Sequence, residues 1–123
     1  MVKIFLRSKK RTTRKDTVYY LAMRDSNGNE GNNELETEVR GGSKVSWELE
    51  KESGIRNISR IYGGGKKSKV FKKDPDRVLG QKKFIVDVVE TEVILKEEYF
   101  IDYTLDTGET VTIDPYIKVL PPD

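Results

Sequence analysis

The chain has 123 residues, no cysteine and no histidine, and 36% charged residues that leave a formal net charge of only +2. The missing residue types exclude a disulfide framework, thiolate or imidazole zinc sites, and the Ser-His and Cys-His nucleophile pairs. The length fits one domain, 1–123, of a size that buries roughly two thirds of the surface its unfolded chain exposes.

Taken in chain order, strand signals dominate. Met1–Arg7 lacks the apolar run and small-residue cleavage site of a signal peptide and reads instead as a short strand, Val2–Arg7. No segment approaches the roughly 20 apolar residues of a membrane span, so a cytoplasmic protein with no membrane partner is expected. Thr17–Arg24 is rich in β-branched and aromatic residues. Asp25 to Asn33 is a turn cluster, with an Asn-Gly pair that favours positive φ. Leu35, Thr37 and Val39 alternate with Glu34, Glu36 and Glu38, and Val45, Trp47 and Leu49 alternate with Ser46, Glu48 and Glu50. Both runs have the period two of half-buried strands.

Ile55, Ile58 and Ile61 are spaced by three, but only eight residues lie between the flanking glycines. That is too few for a typical helix, and the β-branched content favours a strand with a bulge that shifts the face once. Gly63–Arg77 reads as an exposed loop with a short extended piece at Val70-Phe71. Lys83–Val89 and Glu92–Lys96 are two strands, or one long strand interrupted near Glu90. Tyr99, Ile101, Tyr103 and Leu105 alternate inward, a hairpin turns at Gly108, and Thr110–Ile113 returns from it. Asp114-Pro115 is expected to end that strand and redirect the chain, so that Tyr116, Ile117, Lys118, Val119 and Leu120 form an edge strand, pairing elsewhere and open to a neighbouring subunit. Eight to ten short strands and no substantial helix imply an all-β, antiparallel β-sandwich of immunoglobulin-like or Greek-key type.

Two basic stretches are candidate anion or nucleic-acid contacts. Arg7, Lys9, Lys10, Arg11, Arg14 and Lys15 form the first, with hydroxyls interspersed and no acid among them. Lys66, Lys67, Lys69, Lys72 and Lys73 form the second, diluted by Asp74 and Asp76 and flanked by Tyr62 and Phe71, which could stack on bases. Both read as loops at the tips of the sandwich. The run Gly63-Gly64-Gly65-Lys66-Lys67-Ser68 is not a phosphate-binding P-loop: Arg60 stands where the first glycine belongs and Lys67 where Ser or Thr belongs. Asp102, Asp106, Glu109 and Asp114 gather near the hairpin but lack the ligand density of a calcium loop, and are better read as turn residues. No catalytic residue, metal site or cofactor is expected. The aromatic set Tyr19, Tyr20, Trp47, Tyr62, Tyr99, Phe100, Tyr103 and Tyr116 divides between core and surface, and exposed tyrosines could bind a glycan or another small ligand.

The near-neutral total hides a division. Residues 1–83 carry 21 Lys/Arg against 11 Asp/Glu, and residues 84–123 carry two Lys against ten Asp/Glu. Complementary basic and acidic surfaces, joined through strand edges, point to a non-enzymatic interaction or assembly module that binds a protein partner or itself. The alternative is a nucleic-acid-binding accessory domain that uses the two basic stretches.

The C-terminal stretch from Thr104 to Val119, a hairpin followed by Ile113-Asp114-Pro115 and then Tyr116-Ile117-Lys118-Val119, resembles the end of small bacterial immunoglobulin-like β-sandwich proteins. It is similar to the inclusion-body protein family typified by PixA and AidA. The resemblance implies a cytoplasmic, self-associating β-sandwich and transfers no site residue.

Overall fold

The structure, a computed structural model, describes residues 1–64 and 67–121. It is all-β: β1 (Val2–Thr12), β2 (Thr17–Asp25), β3 (Glu30–Gly31), β4 (Glu36–Arg40), β5 (Lys44–Leu49), β6 (Ile55–Gly63), β7 (Asp76–Arg77), β8 (Lys83–Asp87), β9 (Leu95–Leu105), β10 (Thr110–Ile113) and β11 (Tyr116–Leu120). One sheet has the order β3-β2-β1-β5-β8-β7. The other is built around β9, with β6 on one edge and β10 and β11 on the opposite edge, and β4 beyond β11. Two pairings, β1 with β5 and β11 with β4, are parallel, so both sheets are mixed rather than wholly antiparallel.

The period-two alternation read from sequence becomes the interior. Ile4, Leu6, Leu21, Met23, Val45, Trp47, Phe84 and Val86 face inward from the first sheet. Val39, Tyr99, Ile101, Tyr103, Leu105, Ile117 and Val119 face them from the second, in one continuous cluster. Burial of that apolar area drives the sheets together.

The isoleucines at spacing three have a geometric cause. The register of β6 against β9 shifts between Ile55 and Asn57 and again between Ile58 and Arg60. Each bulge inserts one extra residue and so converts a step of two into a step of three. Ile55, Ile58 and Ile61 therefore all reach the core, while Arg56 and Ser59 are exposed. One bulge was expected and two are present.

Asp114-Pro115 does not turn the chain. The pairing with β9 keeps a single register from Thr110↔Thr104 through Ile113↔Ile101 to Tyr116↔Glu98 and Val119↔Leu95. The Pro115 carbonyl still accepts from the Tyr99 N–H at 3.0 Å, and the Tyr116 N–H donates to the Leu35 carbonyl at 3.0 Å. Proline removes one donor only, so one rung is lost and the strand continues on the same sheet. Consequently β11 lies between β9 and β4, with both backbone edges occupied, and Tyr116–Leu120 is an interior strand rather than an edge interface.

Two buried polar contacts tie one sheet to the other. The Trp47 indole N–H donates to the Tyr99 hydroxyl at 3.1 Å, and the rings of Trp47, Tyr99 and Phe71 pack edge to face with centroids 5.6 to 5.8 Å apart. Asp25, at the end of β2, is also buried. Its carboxylate accepts from the N–H groups of Asn27 and Asn29 and from the hydroxyl of Thr37 on β4. The Asn27-Gly28 turn closes over it, with Gly28 at φ 94°.

Burial pushes the Tyr99 hydroxyl well above its ordinary ionisation range, offset in part by the hydrogen bond with Trp47, and burial also raises Tyr103. Both phenols stay neutral in the folded chain after the unfolded chain begins to ionise. The stability they protect is present below about pH 10 and is lost as pH rises toward the folded values. Tyr99→Phe keeps the ring and strands the indole N–H, so it should cost about 1–3 kcal/mol in denaturant unfolding. It should also flatten the alkaline loss of stability; an unchanged midpoint would show that the hydrogen bond contributes nothing.

A basic two-stranded arm as the candidate functional site

Most of the first basic stretch is strand rather than loop: Arg7, Lys9, Lys10 and Arg11 lie in β1, and only Arg14 and Lys15 fall in the turn at its tip. β1 and β2 pair without interruption from Ile4↔Asp25 to Thr12↔Thr17. Their other neighbours stop early: β5 accompanies β1 only from Val2 to Leu6, and β3 meets β2 only at Met23 and Arg24. The remaining pairs, Lys9↔Tyr20, Lys10↔Tyr19, Arg11↔Val18 and Thr12↔Thr17, form a two-stranded ribbon beyond the sandwich. Its root is held where the Ser8 N–H donates to the Ser53 carbonyl at 2.7 Å. Its tip, Thr13 to Asp16, closes through the Thr13 N–H to Asp16 carbonyl bond at 2.8 Å, reinforced by the Thr13 hydroxyl.

Alternation gives the arm two faces. Arg7, Lys9 and Arg11 share the outer face with Ala22, Tyr20 and Val18, and Lys10, Tyr19, Thr12 and Thr17 lie on the other. Val18 is 55% and Tyr19 40% exposed, which no core requirement explains. Lys3, Arg24, Lys44, Arg60 and Lys73 each lie within ion-pair distance of a carboxylate. Among the described residues, no ion pair engages Arg7, Lys9, Lys10, Arg11, Arg14 or Lys15, and Asp16 is the single acid in the arm.

The second basic stretch is placed differently. Lys66 lies outside the described residues. Lys67, Lys69, Lys72 and Lys73 are exposed, but Val70 and Phe71 between them are buried, and Phe71 bridges to Val88. Phe71 packs on Trp47 and Tyr99 and is therefore not a surface for bases. Tyr62 stacks on Phe100 at 5.4 Å, with the Arg60 guanidinium over its ring. Glu97 fastens the segment by accepting from the Ser68 hydroxyl and from the Lys69 N–H at 3.0 Å. Lys73 is paired with Asp76, whose hydrogen bond raises the lysine's ionisation range.

The two stretches do not combine into one patch. The arm leaves the sheet beside Leu6 and Leu49, whereas Phe71 and Lys72 pair beside Asp87 and Val88 at the opposite end of the same strands. Few of the described ion pairs cross the charge division. Of the described ion pairs, only Lys44–Asp87 joins a cation before residue 84 to a carboxylate after it; Lys96–Glu36 and Lys118–Glu38 run the other way.

The carboxylates near the hairpin do not converge. Asp102 accepts from the hydroxyls of Thr112 and Tyr62. Among the described residues no group of three or more His, Cys, Asp or Glu side chains is placed to hold a metal ion. Sequence reasoning missed Asp25, whose burial follows from its place at the end of a strand, and it missed the arm's faces, which require the β1–β2 register.

No protein-family model matches the chain, and no curated protein matches it. Among solved structures, the chain is similar to the Bacteroides ovatus mixed-linkage glucan utilization locus protein SGBP-B, solved in complex with a mixed-linkage heptasaccharide. Identity is 11%, the TM-score is 0.32, and the similarity covers 96% of this chain and 37% of that one. The chain thus spans little more than a third of that protein's length.

Glu97→Ala should free the 67–73 segment without unfolding the sandwich. Limited trypsin digestion should cut after Lys67, Lys69 or Lys72 several times faster than in the parent protein, while cutting in the arm is unchanged. Equal rates at all sites would show that Glu97 does not hold the segment.

Proposed function

We propose that the chain is a non-enzymatic binding module whose contact element is the β1–β2 arm and whose partner is a polyanion, nucleic acid above all. The observation that carries this reading is the set of six arm cations, four on β1 (Arg7, Lys9, Lys10, Arg11) and two in the tip turn (Arg14, Lys15), with no carboxylate partner among the described residues. Keeping like charges together on one ribbon costs repulsion that an incoming anion relieves. A phosphate backbone gains from such a row mainly by releasing its counterions, and an ordered ribbon supplies the cations at fixed spacing.

A second reading, strand addition by a protein partner or a second copy, is favoured by the unpaired outer edges of the arm, along Lys9–Thr12 and Thr17–Tyr20. The same lysines and arginines oppose pairing between two identical arms, which makes an acidic partner strand the better occupant.

Binding of a labelled oligonucleotide, followed by anisotropy across salt, tests the leading reading. The affinity should fall with salt with a log–log slope of about −2 to −4, as expected for three to six neutralised phosphates. Lys9→Gln with Arg11→Gln should weaken binding about tenfold and make the slope shallower by roughly 1 to 2, with the fold intact by circular dichroism. Salt-insensitive retention, or affinity unchanged in the double variant, would sink it. Sedimentation at low and high salt addresses the second reading, which requires a mass that rises with protein concentration or with an added acidic protein.

A further inference from the structure

We infer that the outer face of the arm takes a single strand of nucleic acid, with one base stacked on Tyr20 and successive phosphates on Arg7, Lys9 and Arg11. This rests on the arm being the polyanion-binding element and adds which nucleic acid it selects. Strand periodicity places the three cations in a row at intervals of about 7 Å. Their cross-strand partners, Ala22, Tyr20 and Val18, form a parallel row of small, aromatic and β-branched side chains. A cationic row beside an apolar row matches a single strand, which carries charge along one side and open π-faces along the other.

The surroundings fit the same occupant. An open groove of 430 Å³ runs along Arg7, Lys9, Ala22 and Arg24, bounded by Gly31 and Asn32. A second hollow of 370 Å³ continues it over Tyr20, lined by Arg11, Val18 and Asn32. Two carboxylates border the first groove, Glu50, which is engaged by Arg24, and Glu30, so the groove sets three cations, Arg7, Lys9 and Arg24, against two acids. Asn32 is exposed and borders both hollows, where its amide offers a donor and an acceptor to a base edge. A duplex keeps its bases stacked on one another and gives Tyr20 nothing to hold. The opposite face of the ribbon, with Lys10 as its one cation among the paired residues, offers a duplex little to embrace.

The test compares three probes of similar charge: a thymidine oligonucleotide, a DNA duplex, and inorganic polyphosphate, which has no bases. The parent protein should bind the single strand at least several times more tightly than either of the others. Tyr20→Ala should lower affinity for the single strand about tenfold, the loss expected for one stacked base, and leave polyphosphate binding unchanged. Tyr20→Phe should restore it. Tyr20→Trp adds an independent reading, because its fluorescence should be quenched by the oligonucleotide and not by polyphosphate. If the duplex binds most tightly, or if Tyr20→Ala weakens all probes equally or none of them, the single-strand inference is overturned while the arm remains a polyanion-binding element. If none of the three probes binds, the arm reading falls and this inference with it.

Discussion

The fold depends on the contact between Trp47 and Tyr99, one from each sheet. Each residue brings a large apolar surface into the core together with one polar group that water can no longer reach. The indole N–H and the phenolic oxygen satisfy each other at 3.1 Å, so the core keeps both rings without an orphaned donor. Phe71 packs against both rings, which draws a loop that would otherwise be free surface onto the end of the sandwich. The bond also fixes how β5 lies over β9, and the remaining inward side chains interdigitate around that point.

Against this packed interior, the arm stands out because the core does not need it. The strands that build the first sheet have served that purpose by Leu6 and Leu21, yet both continue, remain paired, and carry cations. The two-residue strand β3 and the turn at Asp25–Asn29 hold β2 at its root, and the Ser8–Ser53 bond holds β1. Anchored at its root, the ribbon presents its side chains at the spacing that strand geometry sets.

The charge division found along the sequence takes on a spatial meaning here. Among the described residues, ion pairing engages many surface cations and none of those in the arm, and exposed pairs of this kind contribute only about 0–1 kcal/mol each. The division therefore matters less for stability than for the field around the molecule.

Local rules made much of the architecture legible. Alternation at Val45–Leu49 and Tyr99–Leu105 marked both halves of the core, and Asn27-Gly28 and Gly108 marked turns that adopt φ of 94° and 96°. These signals survive in sequence because side-chain direction and turn geometry are set by neighbours one to four residues away. What lies on each side of a strand is a different matter, since strand partners are separated by tens of residues. Pro115 read as a corner until the β9 register ran straight past it, and Tyr116–Leu120 read as an edge until β4 closed over it. Lys9, Lys10 and Arg11 read as loop residues until β2 paired along them. The sequence alone determined an all-β chain, its inward residues and its clustered cations. Only the tertiary structure decided which cations share a face, which edges stay open and which basic segment stands clear of the core, because hydrogen-bond register between distant strands is settled by the packing of the whole.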